Sequence, residues 1–209
     1  SMVISNRGLN NNCLTFFELK TLKANIIDLN IKDCQDMAVN KQGRILVVDT
    51  LNRSIIYLDK NGAIIRTFDI ALLTKNKKIL VKGISFGYNS DFIYADYDLC
   101  KIYIHNINSG NIKRVINLNH FKNEISEIKS VTALQDSLVL CVRGYNPIWL
   151  IDFEGNIISK LGTIGKGKYS FRNPSNIVEM RCGDILVVDK ENDRVGRFSN
   201  KFVNKSFIF

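Results

Sequence analysis

Ile185-Leu186-Val187-Val188-Asp189 decides the fold, because three earlier stretches repeat its pattern of an apolar run with a polar close. The repeats are Ile45–Asp49, Phe92–Asp96 and Leu138–Arg143, so that the closing residues lie 47, 47 and 46 positions apart. A period in the forties indicates repeated supersecondary units. The repeat therefore predicts four copies of one small β motif.

Each copy contains three further short strands around this marker strand. An apolar run precedes the marker after a turn, another begins six residues beyond it, and a fourth run follows a second turn. The preceding runs are 36–39, 83–86, 130–133 and 176–179; the third strands open at Ile55, Ile102, Trp149 and Val195; fourth strands start at Ala63, Asn111 and Asn156. Four antiparallel strands per unit of this length are typical of a β-propeller blade.

The N-terminal stretch fits a less regular blade. Met2–Ser5 matches a marker strand, Leu14–Leu19 a third strand and Asn25–Leu29 a fourth, with no sequence for an innermost strand. We therefore predict an all-β, single-domain propeller with almost no helix and with blades near 1–30, 35–68, 81–117, 129–161 and 174–209. Either these five blades make the ring, or a sixth blade lies outside the chain. Ser1-Met2 has the form of a cleaved tag remnant, which favours a piece of a longer protein.

Composition limits the class of protein. The chain has 209 residues, 45% of them hydrophobic and 23% charged, which suits one substantial core. Its five cysteines have neither zinc-site spacing nor the pattern of a disulfide framework, and Cys141 is expected to be a small buried hydrophobe. These features favour a reducing, cytoplasmic location and predict no metal or cofactor.

The last unit resembles the NHL repeat. It carries Phe171 and Pro174, the glycine turn at Gly183, the strand ending in Asp189, and then Asn192, Arg194, Val195 and Phe198. The unit around Asp49 matches through Gly43, Asn52 and Ile55, with Ser54 in the arginine position, and the next keeps Asp96 with Lys101 in that position. The unit ending in Arg143 diverges most, with Arg in place of the Asp.

The resemblance implies a role as well as a fold. NHL propellers form the C-terminal domain of tripartite-motif ubiquitin ligases, where they bind RNA on a positive face or present protein substrates. These 209 residues contain no zinc RING ladder and no long heptad run. Any ligase activity would therefore belong to another region of a parent protein.

The marker aspartates are predicted to be structural. A carboxylate at a strand end can accept backbone N–H groups of the following loop and pair with a nearby Arg such as Arg194. Asp49, Asp96 and Asp189 recur at one station, whereas a single catalytic site would not need three copies.

No catalytic residue is predicted. His105 and His120 are the two histidines, and neither has a second histidine at metal-ligand spacing, as a metal-dependent propeller lyase would need. Gly162–Lys168 is rich in glycine and lysine but lacks the Ser or Thr and the helix of a phosphate loop. A propeller enzyme or small-ligand sensor is kept as the alternative.

Charge gives the functional prediction. Lys and Arg number 29 against 20 acidic residues, a net charge of +9 and a pI near 9.3, which favours an anionic partner. In a propeller, the loops between second and third strands and those between blades share one face. We predict an RNA-binding or partner-binding site there, formed by Arg53, Lys101, Arg143, Tyr145, Asn146, Lys166, Lys168, Tyr169 and Arg172.

Aromatic rings beside cations suit single-stranded RNA, since bases stack on rings while phosphates meet Lys and Arg. Tyr and Arg are also enriched in protein hot spots, so a protein partner stays equally open. Phe171 and Trp149 are expected in the core instead.

Overall fold

A computed structural model describes residues 2–7, 12–18, 23–199 and 204–208. Ser1, Leu19 and Phe209, which belong to the predicted terminal blades, lie outside these described residues, as does the side chain of Arg7. The chain divides into two compact units, Ser1–Lys78 and Ile79–Phe209. They are called unit 1 and unit 2.

Unit 1 contains two antiparallel sheets and one short helix. The first sheet has three strands, β1 (Met2–Arg7), β2 (Asn12–Glu18) and β3 (Lys23–Ile31). The second, called blade 2, has β4 (Cys34–Val39), β5 (Ile45–Asp49), β6 (Ser54–Leu58) and β7 (Ile64–Asp69). Helix α1 (Ile70–Thr74) begins where the Asp69 side chain accepts the N–H of Leu72.

Unit 2 contains three four-stranded antiparallel sheets. Blade 3 has β8 (Val81–Phe86), β9 (Asp91–Asp96), β10 (Lys101–Asn106) and β11 (Ile112–Asn117). Blade 4 has β12 (Ile125–Ala133), β13 (Leu138–Gly144), β14 (Ile148–Ile151) and β15 (Ile157–Leu161). After a parallel pair, β16 (Thr163–Ile164) and β17 (Ser170–Phe171), blade 5 has β18 (Pro174–Glu179), β19 (Ile185–Asp189), β20 (Arg194–Phe198) and β21 (Asn204–Ile208).

The all-β prediction is confirmed, with 56% strand and 6% helix. Each four-stranded sheet is a meander in which consecutive strands pair through short turns. The helical residues are α1 and the 3-10 turns Asn119–Phe121 and Lys190–Asn192. No helix among the described residues has the length and apolar character needed to cross a membrane.

The marker strands build the buried centre of their sheets. Val47, Tyr94, Leu140 and Val187 are each completely buried. Each pairs with the inner strand on one side and the third strand on the other, as Leu140 does with Val131 and Trp149. This register agrees with the repeat, which predicts one marker strand in each copy.

In unit 2, blade 4 lies between blades 3 and 5. Side chains alternate across a strand, so Leu138, Leu140 and Val142 of β13 join the core shared with blade 3, whereas Val139 and Cys141 join the core shared with blade 5. Both faces of blade 4 are therefore buried.

The inner strands approach each other closely and are joined by hydroxyl groups. A Cβ added to Gly83 in β8 would lie 2.7 Å from the Ser130 Cα atom of β12, so no side chain fits there. The Ser85 hydroxyl accepts the Ala133 N–H at 3.2 Å, and the Thr132 hydroxyl accepts the Glu179 N–H at 3.3 Å.

One detail of the predicted alignment is wrong. Asp49, Asp96 and Asp189 end their marker strands just past a bulge opposite the inner strand, and the matching residue in blade 4 is Val142, which faces Ile128. Arg143 stands one residue farther on. The matching third-strand residues are Ser54, Lys101 and Arg194, and Pro147 takes their place in blade 4, where its carbonyl accepts the Val142 N–H.

Candidate recognition surface

The marker carboxylate of blade 5 holds the loops around it. Asp189 is fully buried and accepts the Arg172 N–H at 2.7 Å, the Asn192 side-chain amide at 2.7 Å and the Arg194 Nε at 2.9 Å. Arg194 also donates to the carbonyl oxygens of Gly167 and Ser170. Its side chain is only 10% exposed. Arg194 therefore braces the loop from inside.

The other two marker aspartates, Asp49 and Asp96, contact different groups. Asp49 accepts the backbone N–H groups of Lys32 and Asp33, both at 3.1 Å, and the Asn52 amide at 2.7 Å. Asp96 accepts the N–H groups of Asp98 and Leu99 through Oδ1. These are the contacts expected of loop-holding carboxylates, and their energetic role stays a prediction.

Asp96 is the least satisfied member of the set. Its Oδ2 atom is buried and has no hydrogen-bond partner of good geometry among the described residues. Burial raises the pKa of Asp96, and the N–H groups of Leu99, Asp98 and Leu80 oppose that shift. The blade 3 loop thus holds its carboxylate less firmly than the loop of blade 5.

A charged cluster spans the junction of blades 3 and 4. The Lys82 ammonium lies 4.0 Å from the centre of the Tyr97 ring, and Arg143 Nη1 lies 3.1 Å from Glu127 Oε1. A hydrogen bond with Glu127, together with burial, raises the pKa of Tyr97 to about 12. Partial burial would raise the pKa of Glu127, but hydrogen bonds from Tyr97 and Arg143 outweigh it and lower that pKa.

A second cluster spans the junction of blades 4 and 5. Lys129 hydrogen-bonds the Asn173 side chain through Nζ, and the Asn173 amide donates to Glu191 at 2.9 Å. Arg172 Nε lies 3.2 Å from the other Glu191 oxygen. Lys129 also acts on Glu127, whose pKa its charge helps to lower. The two clusters are therefore neighbours, and together they are called the charged band: Lys82, Tyr97, Glu127, Lys129, Arg143, Arg172, Asn173 and Glu191.

Two exposed tyrosines lie in adjacent loops. Tyr145, in the loop between β13 and β14, is 67% exposed, and Tyr169, just before β17, is 56% exposed. The Lys168 ammonium lies 5.5 Å from the centre of the Tyr169 ring. The Asn146 amide donates to the Gly162 carbonyl at 2.7 Å, which ties these two loops together.

The predicted site residues thus divide into five groups. Arg143 and Arg172 lie in the charged band, while Tyr145, Lys168 and Tyr169 are exposed beside it. Asn146 is committed to a loop contact. Lys101 and Lys166 form no ion pair among the described residues of unit 2. Arg53 belongs to unit 1, where it is exposed with a φ of 51°.

Sequence reasoning missed the acidic half of the band. Glu127 and Glu191 face Arg143 and Arg172 across 16 and 19 residues of sequence, so no local motif indicates them. Two of the cations expected on the basic face therefore have carboxylate partners.

The two histidines lie in different environments, His105 in the core and His120 exposed. His105 is fully buried, with Nδ1 2.9 Å from the Gly110 carbonyl and Nε2 3.0 Å from the Tyr94 hydroxyl. Since a carbonyl only accepts, Nδ1 donates and Nε2 accepts. Burial lowers the pKa of His105. The His120 ring packs on Phe121, with 4.0 Å between centroids.

Three residues expected in the core are buried. Trp149 and Phe171 are 1% exposed, and Trp149 Nε1 donates to the Asn146 carbonyl at 2.7 Å. Cys141 is fully buried, which raises the pKa of its thiol to about 12. The described residues contain no group of three or more His, Cys, Asp or Glu side chains suited to a metal.

Comparison with solved structures identifies the architecture. Streptogramin B lyase matches with a TM-score of 0.69 at 16% identity over 99% of this chain and 64% of its own. A chain of the nidogen/laminin complex matches with 0.69 at 11% identity over 94% and 72%, and Sqt1 of Saccharomyces cerevisiae with 0.61 at 11% identity over 94% and 55%. This chain thus spans less than two thirds of the lyase.

These similarities show a β-propeller fold, as the repeat predicted. The sequence matches no protein-family model and no curated protein. The NHL subtype and the closure of the ring with five or six blades therefore stay predictions.

Proposed function

We propose that this propeller is a non-enzymatic recognition module that binds a protein partner through the charged band of unit 2 and its flanking tyrosines. The carrying observation is that Arg143 and Arg172 each face a carboxylate while Tyr145 and Tyr169 stand exposed beside them. Arginine and tyrosine are enriched in protein interfaces, where they supply contact area and directed hydrogen bonds.

The ion pairs favour protein over RNA at the band. A phosphate approaching Arg143 or Arg172 would meet Glu127 or Glu191 as well, and that repulsion would offset part of the attraction. A protein surface can present both acidic and basic groups and so complement a band of mixed sign.

RNA remains a second candidate at a neighbouring loop. Lys168 lies beside the exposed Tyr169 ring, Lys166 is two residues away in sequence, and the chain as a whole carries +9. Cations next to a free ring suit single-stranded RNA. Such binding would weaken with log salt at a slope of about −0.7 per phosphate contacted.

The fold neighbours include a protein determined in a complex and an enzyme. One was determined in a complex of nidogen and laminin, and another is a lyase whose catalytically inactive histidine-to-alanine variant was solved with quinupristin. In this chain His105 is buried in the core, whereas His120 is exposed with its ring against Phe121. Substrate presentation within a cytoplasmic ubiquitin ligase of the tripartite-motif type extends the proposal, and it would need catalytic parts outside these 209 residues.

Site-specific photo-crosslinking tests the proposal. A benzophenone side chain is placed at Tyr145, at Tyr169 or, as control, at Ser109, which is exposed in the turn between β10 and β11 at the opposite end of its strands. The tagged protein is irradiated in extract of the source cells, with and without ribonuclease, and adducts are identified by mass spectrometry.

We expect one discrete protein adduct from positions 145 and 169 that ribonuclease does not remove, that Ser109 does not give, and that Arg143→Glu with Arg172→Glu abolishes. Adducts that consist of RNA would instead support the second candidate. The same adduct pattern from all three positions would exclude a binding surface here.

A further inference from the structure

Lys82 and Lys129 occupy equivalent positions in adjacent blades. Each is the extra residue of the bulge in its inner strand, β8 of blade 3 or β12 of blade 4. These strands approach closely at the next residue, where a Cβ added to Gly83 would lie 2.7 Å from the Ser130 Cα atom. The bulge residue of blade 5 is Ser175, which carries no charge. The fold therefore puts two lysines that are distant in sequence at one junction.

One tyrosine and one carboxylate lie between these two lysines. The Lys82 ammonium is 4.0 Å from the centre of the Tyr97 ring, and Tyr97 hydrogen-bonds to Glu127. Burial would raise the pKa of Glu127, but hydrogen bonds from Tyr97 and Arg143 outweigh it, and the nearby charge of Lys129 lowers that pKa further. Both lysines thus adjoin a single Tyr97–Glu127 pair.

Neither lysine has a carboxylate partner of its own. Lys82 contacts the face of an aromatic ring, and Lys129 hydrogen-bonds the neutral amide of Asn173. Within the part of the chain that the structure describes, no carboxylate lies at ion-pair distance from either ammonium group. Both side chains are partly exposed, and an ammonium group has three donors, so each lysine keeps donors for a ligand.

The charged band consequently has a surplus of positive charge. It contains four cations and two carboxylates, and both carboxylates pair with its arginines. Asp98 acts on Tyr97 from outside the band, but it is exposed and therefore screened by solvent. The two surplus charges lie on Lys82 and Lys129.

We propose that the protein partner of the charged band presents an acidic segment, whose carboxylates bind Lys82 and Lys129. The inference rests on the proposed function and adds the chemistry of the partner. Two ammonium groups at one junction repel each other, and bound carboxylates relieve that repulsion through charge-assisted hydrogen bonds. A nucleic acid carries a phosphate at every nucleotide and would also place phosphates against Glu127 or Glu191. A protein segment can instead present basic or polar groups there.

A fluorescence anisotropy titration with labelled oligoglutamate, used as a model acidic segment, tests the proposal. The wild type is compared with Lys82→Gln plus Lys129→Gln, which removes both charges and leaves the arginine pairs in place. Lys41→Gln plus Lys60→Gln is the matched control, because it removes the same charge from exposed turns of unit 1. We expect the first pair to weaken binding about ten-fold and the control pair less than about two-fold.

A charge-preserving pair separates charge from packing. Lys82→Arg with Lys129→Arg should retain binding, and a loss of binding in this pair as well would overturn the charge argument. Equal weakening by the control pair would indicate general attraction to a basic protein and would also overturn it. So would tighter binding of labelled oligouridylate with the same dependence on the two lysines, since the site would then take phosphate.

Photo-crosslinking at Tyr145 and Tyr169 distinguishes failure of this inference from failure of the proposed function. Loss of the protein adducts in Lys82→Gln plus Lys129→Gln, but not in the control pair, is expected. Adducts that survive in that variant, together with a wild type that does not bind oligoglutamate, would leave partner binding by the band intact and exclude the acidic segment.

Discussion

The marker strand ends with a carboxylate in blade 5 and with an apolar residue in blade 4. In blade 5 the station holds the buried carboxylate of Asp189, which binds three donors from its loops. In blade 4 the same station holds Val142, which is 1% exposed and packs in one core with Ile125 and Ile128.

The loops of blade 4 are fixed by other groups. The Trp149 indole donates to the Asn146 carbonyl, and the Asn146 amide donates to the Gly162 carbonyl. The same backbone geometry thus accepts either a polar or an apolar residue at this position, provided that the neighbouring groups change together with that residue. The comparison teaches that the aspartate is one of two self-consistent solutions, which single substitutions should not interconvert.

The largest effect is expected from Val142→Asp. It would put a carboxylate among isoleucines without the donors that surround Asp189, and an unpaired buried charge costs about 3 to 5 kcal/mol of unfolding free energy. Urea unfolding followed by circular dichroism measures the loss, with Val142→Ala as the control for lost methyl groups. A cost no larger than that of the alanine variant would mean that the two stations are interchangeable.

Asp189→Ala is expected to cost about 3 kcal/mol. The change removes the carboxylate that the Arg172 N–H, the Asn192 amide and Arg194 Nε share, and it leaves the nearly buried guanidinium with carbonyl acceptors but no counter-charge. The same unfolding experiment measures it, beside Glu154→Ala at an exposed turn. If Asp189→Ala abolished partner binding at unchanged stability, the structural role would be wrong.

Trp149→Phe should cost about 1 to 2 kcal/mol. The variant keeps an aromatic ring but loses the hydrogen bond to Asn146 and some volume in the core. Thermal unfolding followed by far-ultraviolet circular dichroism measures the change. A stability equal to wild type would show that packing alone holds the blade 4 loop.

Asp96→Asn is expected to have the smallest effect, within about 1 kcal/mol, with a definite pH dependence. The raised folded-state pKa means that the folded protein takes up this proton at higher pH than the unfolded chain, so Asp96 lowers stability at neutral pH and less so in acid. The variant should therefore gain on wild type at neutral pH and lose that gain as the pH falls. Urea titrations at several pH values measure the difference, and a constant difference would contradict the burial argument.

Most of the fold could be predicted because each blade is formed by strands that are consecutive in the sequence. Each four-stranded sheet pairs consecutive strands, so the marker strands, their turns and their spacing are visible in sequence. The one-residue error at Arg143 arose because the apolar Val142 occupies the position that an aspartate holds in the other three sheets, so the next polar residue was taken as its match. The bulge beside this position occurs in all four sheets and did not distinguish them.

The candidate surface could be predicted only in part. Tyr145 and Tyr169 are exposed beside the cations, as expected of residues in polar loops. The bonds that set the electrostatics, such as Lys129 to Asn173, cross between blades separated by 44 residues. Their geometry depends on how sheets stack, which the repeat pattern does not specify.

The single tryptophan makes intrinsic fluorescence a probe of one region of the protein. Trp149 lies in the core shared by blades 3 and 4, with Phe121 edge-on at 5.3 Å and the Lys160 ammonium 4.5 Å from its ring centre. Its emission should therefore report opening of that seam. Unfolding confined to blade 5 or to unit 1 should leave the emission wavelength of Trp149 unchanged. A difference between fluorescence and circular dichroism would therefore reveal which part of the propeller opens first.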